Sequence, residues 1–323
     1  MLRIFFTSDD VARTRIAPGP DPLWELVMSL QLLRPQPGDL LFRPWREAVR
    51  QAVGRLGGRL RLLLSLTPPV GYFPDFLNPS AALGGLEHGL AAIRSTAKTA
   101  LHHDVRHLAS SSTLPAEAWR LASGEPSVLT DLTDTMLACY AQVVAPYQAT
   151  VDAAVERDRR RRVEALATGG VEGLLASLEP VARWSCGELR LPGHRDQELH
   201  LDGRGLLLIP SYFCLKGPVT MLDPTLPPVV VYSVTKRPDL LTGRDTSALA
   251  TLIGATRAAL LEAVATGGPL TTTTLARRAG TAASTASEHA TVLRDAGLID
   301  SNRDRNRMVH QVTPLGRSLL DGH

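Results

Sequence analysis

Thr271-Thr-Thr-Thr-Leu-Ala-Arg-Arg-Ala-Gly280-Thr-Ala-Ala-Ser-Thr-Ala-Ser-Glu-His-Ala290-Thr-Val-Leu-Arg-Asp-Ala-Gly297 decides the fold of the C-terminal part. Thr271 is placed to cap a short helix over residues 272–279. Gly280 then supplies a sharp turn, since glycine tolerates positive φ. A further helix is predicted over 283–296, and Gly297 ends it. On that helix Ala286, Ala290 and Leu293 share the face that must pack inward. Ser284, Ser287, Glu288 and Thr291 fall opposite, with Thr285 and His289 on the flank. Leu298 and Ile299 begin a strand that turns at Asp304-Arg305-Asn306 and returns through Met308 to Val312.

Working outward, residues 247–266 read as a helix with Leu249, Leu252, Ile253, Leu260, Leu261 and Val264 along one side. Asp245, Thr246 or Ser247 could cap it, and Gly267-Gly268-Pro269 stops it. Two short helices around a glycine turn, then a hairpin, make a winged helix-turn-helix. Before it, 236–244 with Pro238 and Gly243 reads as a linker. The fold class is therefore α+β: a mainly helical N-terminal domain with a small antiparallel sheet (residues 1–245), then a C-terminal winged helix-turn-helix (246–323). The sheet is expected from 181–191, 197–201, 206–213 and 229–234, with a further strand at 2–6. Helical patterns run over 22–33, 85–109 and 115–168, the last broken near Gly124-Glu-Pro126 and at Pro146, and a short helix follows Gly169-Gly170. The Pro- and Gly-broken region between them ends in a structured loop over 67–79.

Composition narrows the class further. The chain has 323 residues, 44% apolar and 21% charged, an ordinary globular balance that excludes disorder. No run approaches the ~18 apolar residues of a membrane span, and residues 1–6 are too short for a secretory core, so a soluble cytoplasmic chain is expected. Cys139, Cys186 and Cys214 are odd in number and widely spaced, which gives neither a disulfide framework nor a zinc set. The formal charge is only +3, and residues 271–310 hold six arginines against four acids, so position rather than net charge must carry any argument for nucleic acid.

Residues 272–280, 284–289 and 292–299 resemble the ArsR-type winged-helix transcriptional regulators. Pro22-Leu-Trp-Glu25, Pro74-Asp-Phe-Leu77 and Gly203-Arg-Gly-Leu-Leu-Leu-Ile-Pro210 are similar to a long actinobacterial branch of that family. The resemblance implies a homodimer that binds double-stranded operator DNA, most often as a repressor. Thr272, Ser284, Thr285, Ser287, Glu288, His289 and Thr291 would face the major groove, and Arg303, Arg305 and Arg307 would hold phosphate at the wing. Two positions depart from the family pattern. Ala282 stands where a Ser usually caps the recognition helix, and Glu288 where a basic or amide residue is common. They leave a second reading open, an effector-binding or protein-interaction module whose winged helix no longer binds DNA.

Other signals are weighed against blander readings. The family's thiolate and terminal-helix metal sites lack their ligands here, and no metal or cofactor is expected. His103 and His107 stand at i and i+4, but without a third ligand they read as solvated or hydrogen-bonded. The run Arg157-Asp-Arg-Arg-Arg-Arg162 reads as a solvated helix face supported by Glu156, Asp158 and Glu164. Asp131 and Asp134 read as helix-start residues and Cys139 as a buried small hydrophobe; no catalytic residue is expected. Trp24, Tyr72, Asp75 and Phe76 are candidates for lining a small-molecule effector pocket, with core packing the competing account.

Overall fold

The computed structural model describes residues 1–34, 40–192, 196–215, 217–236, 252–304 and 307–321. The chain divides into two compact units, Met1–Arg237 and Pro238–His323. No described helix is long and apolar enough to cross a membrane.

The first unit carries two small sheets rather than one antiparallel sheet, a correction to the sequence reading. Strands β1 (Leu2–Phe5), β3 (Arg183–Ser185), β4 (Glu188–Leu191) and β5 (Gln197–His200) make a mixed sheet of order β3-β4-β1-β5. The N-terminal β1 lies between β4, antiparallel with Leu2 opposite Leu191, and β5, parallel with Leu2 opposite Gln197. The second sheet, β2 (Arg15–Ile16), β6 (Leu207–Ser211) and β7 (Val229–Ser233), is wholly parallel. Its chemistry explains the difference. Val229, Val230, Val231 and Tyr232 are buried in succession, the continuous apolar pattern of a parallel strand covered on both faces. Leu2, Ile4, Leu189, Leu191, Leu208 and Val230 share one core with Leu174 and Leu175 from a helix.

Nine α-helices are described in this unit. The first five are α1 (Ser8–Arg13), α2 (Pro22–Leu32), α3 (Arg43–Arg55), α4 (Leu60–Leu66) and α5 (Leu86–Arg94). The rest are α6 (Lys98–Ala109), α7 (Ala116–Ala122), α8 (Pro126–Val143) and α9 (Gln148–Ala176). The breaks expected near Pro126 and Pro146 fall between α7, α8 and α9. Gly170, at φ 63°, kinks α9 where a new helix was expected. Two helices, α3 and α4, occupy the region read only as Pro- and Gly-broken; Gly54 is accommodated inside α3, and burial of Trp45 and Val49 outweighs its propensity cost. Trp45 also donates Nε1–H to the Val143 carbonyl at 3.0 Å, tying α3 to α8.

Two further corrections concern charged residues. Asp131 and Asp134 do not start a helix: α8 begins at Pro126, and Asp134 accepts from Arg94 at 3.2 Å in the helix interior. The arginine run of α9 is not wholly solvated. Arg162 and Asp158 are buried, with Arg162 Nη2 3.0 Å from Asp158 Oδ1, and Tyr232 donates to Asp158 Oδ2 at 2.7 Å. A buried pair needs such added partners to offset desolvation, and this one fastens α9 to β7. Cys139 is fully buried, with burial pushing its thiol up to about 12, which suits a packing role.

The second unit contains α10 (Ala255–Gly267), α11 (Thr272–Arg278), α12 (Ala283–Asp295) and α13 (Pro314–Asp321). Strands β8 (Leu270–Thr271), β9 (Ile299–Asp304) and β10 (Arg307–Val312) form an antiparallel sheet of order β8-β10-β9. The expected linker, the capping residues Asp245, Thr246 and Ser247, and Leu249 fall largely or wholly outside the described residues. The described helix starts at Ala255 behind Gly254, at φ 88°. Leu260, Leu261 and Val264 meet Leu275, Ala286, Ala290 and Leu293 in one core.

Candidate nucleic-acid interface

The C-terminal interface is built from the inward face of α12. Ala286, Ala290 and Leu293 are essentially fully buried, so the helix can rotate little and its opposite side must face outward. Ser284, Ser287, Glu288 and Thr291 are exposed, and Thr285 and His289 sit half-buried on the flank. The Thr291 hydroxyl is turned back on its own helix, donating to the Ser287 carbonyl at 3.0 Å. Helix α11 is held by its cap: Thr271 Oγ1 accepts from the Thr274 N–H at 3.3 Å. Gly280, at φ 63°, makes the turn between α11 and α12.

The N-terminus of α12 has no side-chain cap, because Ala282 has no oxygen to offer. Ala282 nevertheless sits at φ −71°, ψ 151°, the extended geometry a capping residue uses. Ala282→Ser should therefore stabilise the C-terminal unit by about 1 kcal/mol. Slower hydrogen exchange of the first α12 amides would register the gain; unchanged exchange would show that those N–H groups already have partners.

Of the three basic residues expected at the hairpin, Arg303 is exposed on β9, opposite Met308 of β10. Arg307 begins β10, and Arg305 lies outside the described residues. Thr272 is placed differently from the other candidates. Its hydroxyl is 2.9 Å from His310 Nε2, while Ser301 Oγ is 2.8 Å from His310 Nδ1. This chain links α11, β10 and β9 through a histidine that is 5% exposed and whose pKa burial lowers. The sequence reading missed His310, since a lone histidine in a strand carries no local sign of its partners. It also passed over Arg277 and Arg278, exposed in the last turn of α11. Basic residues are favoured at any helix C-terminus, so that pair had no distinctive signal.

In the first unit, Trp24, Asp75 and Phe76 come together on the wall of a cavity of about 280 Å³. Tyr72 is not on that wall; its ring meets His107 nearly perpendicularly at 4.5 Å between centroids, and its Oη accepts from the Asp75 N–H at 3.4 Å. Asp75 accepts from the backbone N–H groups of Leu222 and Asp223, at 2.9 and 2.8 Å to Oδ2. Burial pushes its carboxyl up to about 6 despite those donors. Asp21, which caps α2 through the Leu23 and Trp24 N–H groups, is likewise raised by burial to about 6. Asp104 accepts from the Phe76 N–H at 3.0 Å. The candidates thus serve both accounts: Trp24, Asp75 and Phe76 are buried and line one cavity, while Tyr72, half-buried, lines a second of about 400 Å³ together with Asp75. His102 and His103 are exposed. Among the described residues, no group of three or more His, Cys, Asp and Glu is placed to hold a metal ion.

A family model described as a helix-turn-helix domain matches residues 254–302. That span runs from the residue before α10 into β9 and includes α11, the glycine turn and α12. No curated protein and no solved structure matches the chain.

Proposed function

We propose that this chain is a sequence-specific DNA-binding transcription regulator of ArsR type, acting in the cytoplasm as a homodimeric repressor. The observation that carries the reading is the two-sidedness of α12 within a helix-turn-helix. A buried Ala286, Ala290 and Leu293 face leaves Ser284, Ser287 and Glu288 exposed together, with Arg303 exposed on the hairpin that follows. Short hydroxyl side chains near a helix N-terminus suit phosphate and base-edge contacts in a major groove. The exposed Glu288 could accept from cytosine N4 and would be repelled by phosphate. The hairpin would act as the wing, its arginines on phosphate or in the minor groove. The first unit would carry dimerisation and bind a small-molecule effector, which would release the operator by favouring a dimer geometry with the wrong half-site spacing.

Fluorescence anisotropy on the chain's own upstream DNA and on a scrambled duplex, across a salt series, tests the reading. Preferred binding to the upstream duplex should weaken as salt rises. Replacing Arg303, Arg305 and Arg307 together by Ala should flatten the logarithmic salt slope by about one unit for each phosphate that is no longer neutralised. No binding to either duplex would sink the regulator reading and favour the module without DNA affinity, as the uncapped Ala282 and exposed Glu288 would then suggest.

A further inference from the structure

A strongly basic surface in the first unit has almost no acid to answer it. Residues 41–66 hold six arginines, Arg43, Arg46, Arg50, Arg55, Arg59 and Arg61, against one acid, Glu47. Helix α3 turns Trp45 and Val49 inward, so Arg43, Arg50 and Gly54 fall on its opposite side. Arg55, Arg59 and Arg61 follow around the corner where α3 gives way to α4. Arg43 pairs with Glu47 at 3.0 Å, and Arg46 donates to the Leu32 carbonyl at 2.8 Å. Arg50, Arg55, Arg59 and Arg61 are exposed and have no hydrogen-bond or ion-pair partner among the described residues.

Elsewhere in the same unit exposed arginines meet acids: Arg120 pairs with Glu125, Arg160 with Glu156 and Arg183 with Glu179. Like charges gathered without counter-charges repel one another, and an anionic partner offsets that repulsion. Two further observations narrow the partner. None of the large apolar side chains over residues 41–66 is exposed, so the surface lacks the apolar anchors that protein interfaces and membrane-lying helices use. The corner is also open, since a Cβ added at Gly54, Gly57 or Gly58 would meet nothing within 4 Å. The charge is spread too widely for a single small anion. From Arg43 to Arg55 the helix rises ~18 Å at about 1.5 Å per residue. Over that length duplex DNA presents about ten phosphate charges, one for each ~1.7 Å of its axis.

We propose that the α3–α4 corner is a second DNA-contacting surface, a sequence-independent platform for the phosphate backbone of a duplex. Its free guanidinium groups pair with phosphate oxygens, which adds affinity and fixes position without reading bases. The open glycines let the phosphate backbone come close. The choice of duplex DNA as partner rests on the DNA-binding reading of the second unit. Sequence preference tests that reading, whereas the salt slope of arginine variants tests the corner, so the two can fail separately.

The test is fluorescence anisotropy of the full chain on the upstream and scrambled duplexes across a salt series, with circular dichroism confirming that each variant is folded. One variant replaces Arg50, Arg55 and Arg59 together by Ala, a strong helix former. A control replaces Arg120, Arg160 and Arg183 by Ala, which removes the same charge from acid-paired positions. The corner variant should lose at least about tenfold in affinity for both duplexes and flatten the logarithmic salt slope by about two to three units. Its ratio of upstream to scrambled affinity should not change, because phosphate contacts carry no sequence information. The control should leave affinity and slope nearly as they are, its distant charges being screened by salt. Gly54→Glu puts a negative charge into open space on α3 and replaces a poor helix former, so it should weaken both duplexes while the helix persists. Equal losses in the corner variant and the control, an unchanged salt slope in the corner variant, or no duplex binding by the native chain at low salt would each overturn the proposal. Equal affinity of the native chain for both duplexes, lost in the corner variant alone, would support the corner and overturn the sequence-specific reading.

Discussion

Glu25→Ala should destabilise the first unit by about 3–5 kcal/mol. Glu25 is 1% exposed on α2, and three donors converge on its carboxylate. Tyr212 N–H reaches Oε1 at 2.7 Å, and Phe213 N–H and Ser211 Oγ reach Oε2 at 2.9 and 3.0 Å. These donors sit where β6 ends, so the carboxylate holds the parallel sheet onto α2, two elements that also wall the cavity. Removing it strands three buried donors, whereas Gln keeps one good acceptor and most of the volume. The two variants therefore separate loss of partners from loss of charge. All four tryptophans lie in this unit, so urea unfolding followed by their fluorescence reads it selectively.

The same residue gives the pH dependence its sign. Burial pushes the Glu25 carboxyl up to about 7 from an ordinary 4.5, so the folded state retains a proton that the unfolded chain releases. The part of Glu25's contribution that depends on its bound proton is fullest below 4.5 and is lost as pH rises through about 7, while the three hydrogen bonds to it remain. Asp21 and Asp75, each raised by burial to about 6, act in the same direction. Glu125 and Glu188, held near 2 by arginine partners, act oppositely, losing their contribution as pH falls toward 2. The difference in urea midpoint between the native chain and Glu25→Gln should thus shrink as pH rises from about 4.5 to 7, once the carboxyl ionises at its own cost. A constant difference across that range would place the ionisation elsewhere.

How much of this was legible in the sequence depends on whether local signals and tertiary burial agree. At 271–297 they agree: a capping Thr271, Gly280 at positive φ, and Ala286, Ala290 and Leu293 at helical spacing give α11 and α12 where the residues alone suggest them. At β6 and β7 they do not. Runs such as Val229-Val-Val-Tyr232 mark strands, but pairing direction is decided by a partner far along the chain, here β2 at Arg15 and Ile16. Likewise β1 enters between β4 and β5 because Leu2 and Ile4 alternate into the same core, a pairing across some 190 residues that no local window contains. Helices α3 and α4 went unseen because Gly54, Gly57 and Gly58 outweigh apolar spacing in any local reading.

The candidate sites divide along the same line. Exposed residues on α12 follow from one helical period, so Ser284, Ser287 and Glu288 were readable. The hold of His310 on Thr272 and Ser301, and the meeting of Asp75, Asp104 and Asp223, require three separated segments to be brought together. Trp24, Asp75 and Phe76 could be named as pocket candidates from composition.

Ser284→Asp should lower affinity for the upstream duplex at least about tenfold while leaving the C-terminal unit as stable or slightly more so. The two effects have opposite signs because they draw on the same field. Ser284 is the second residue of α12, where unpaired N–H groups and the helix dipole favour negative charge. An aspartate there stabilises the helix by about 0.3–1 kcal/mol. It also occupies the position that would otherwise receive a phosphate, and repels it. A substitution that merely damaged the fold would lower stability and binding together, so their divergence is the informative result. Ser284→Ala supplies the neutral reference, expected to remove only the hydroxyl's hydrogen bond. Undiminished DNA affinity in Ser284→Asp, with the helix intact by hydrogen exchange, would place the duplex away from the α12 N-terminus. Arg277, Arg278 and Arg303 would then be the cations to replace next, because a nucleic acid that avoids α12 still needs a basic surface to hold its phosphates.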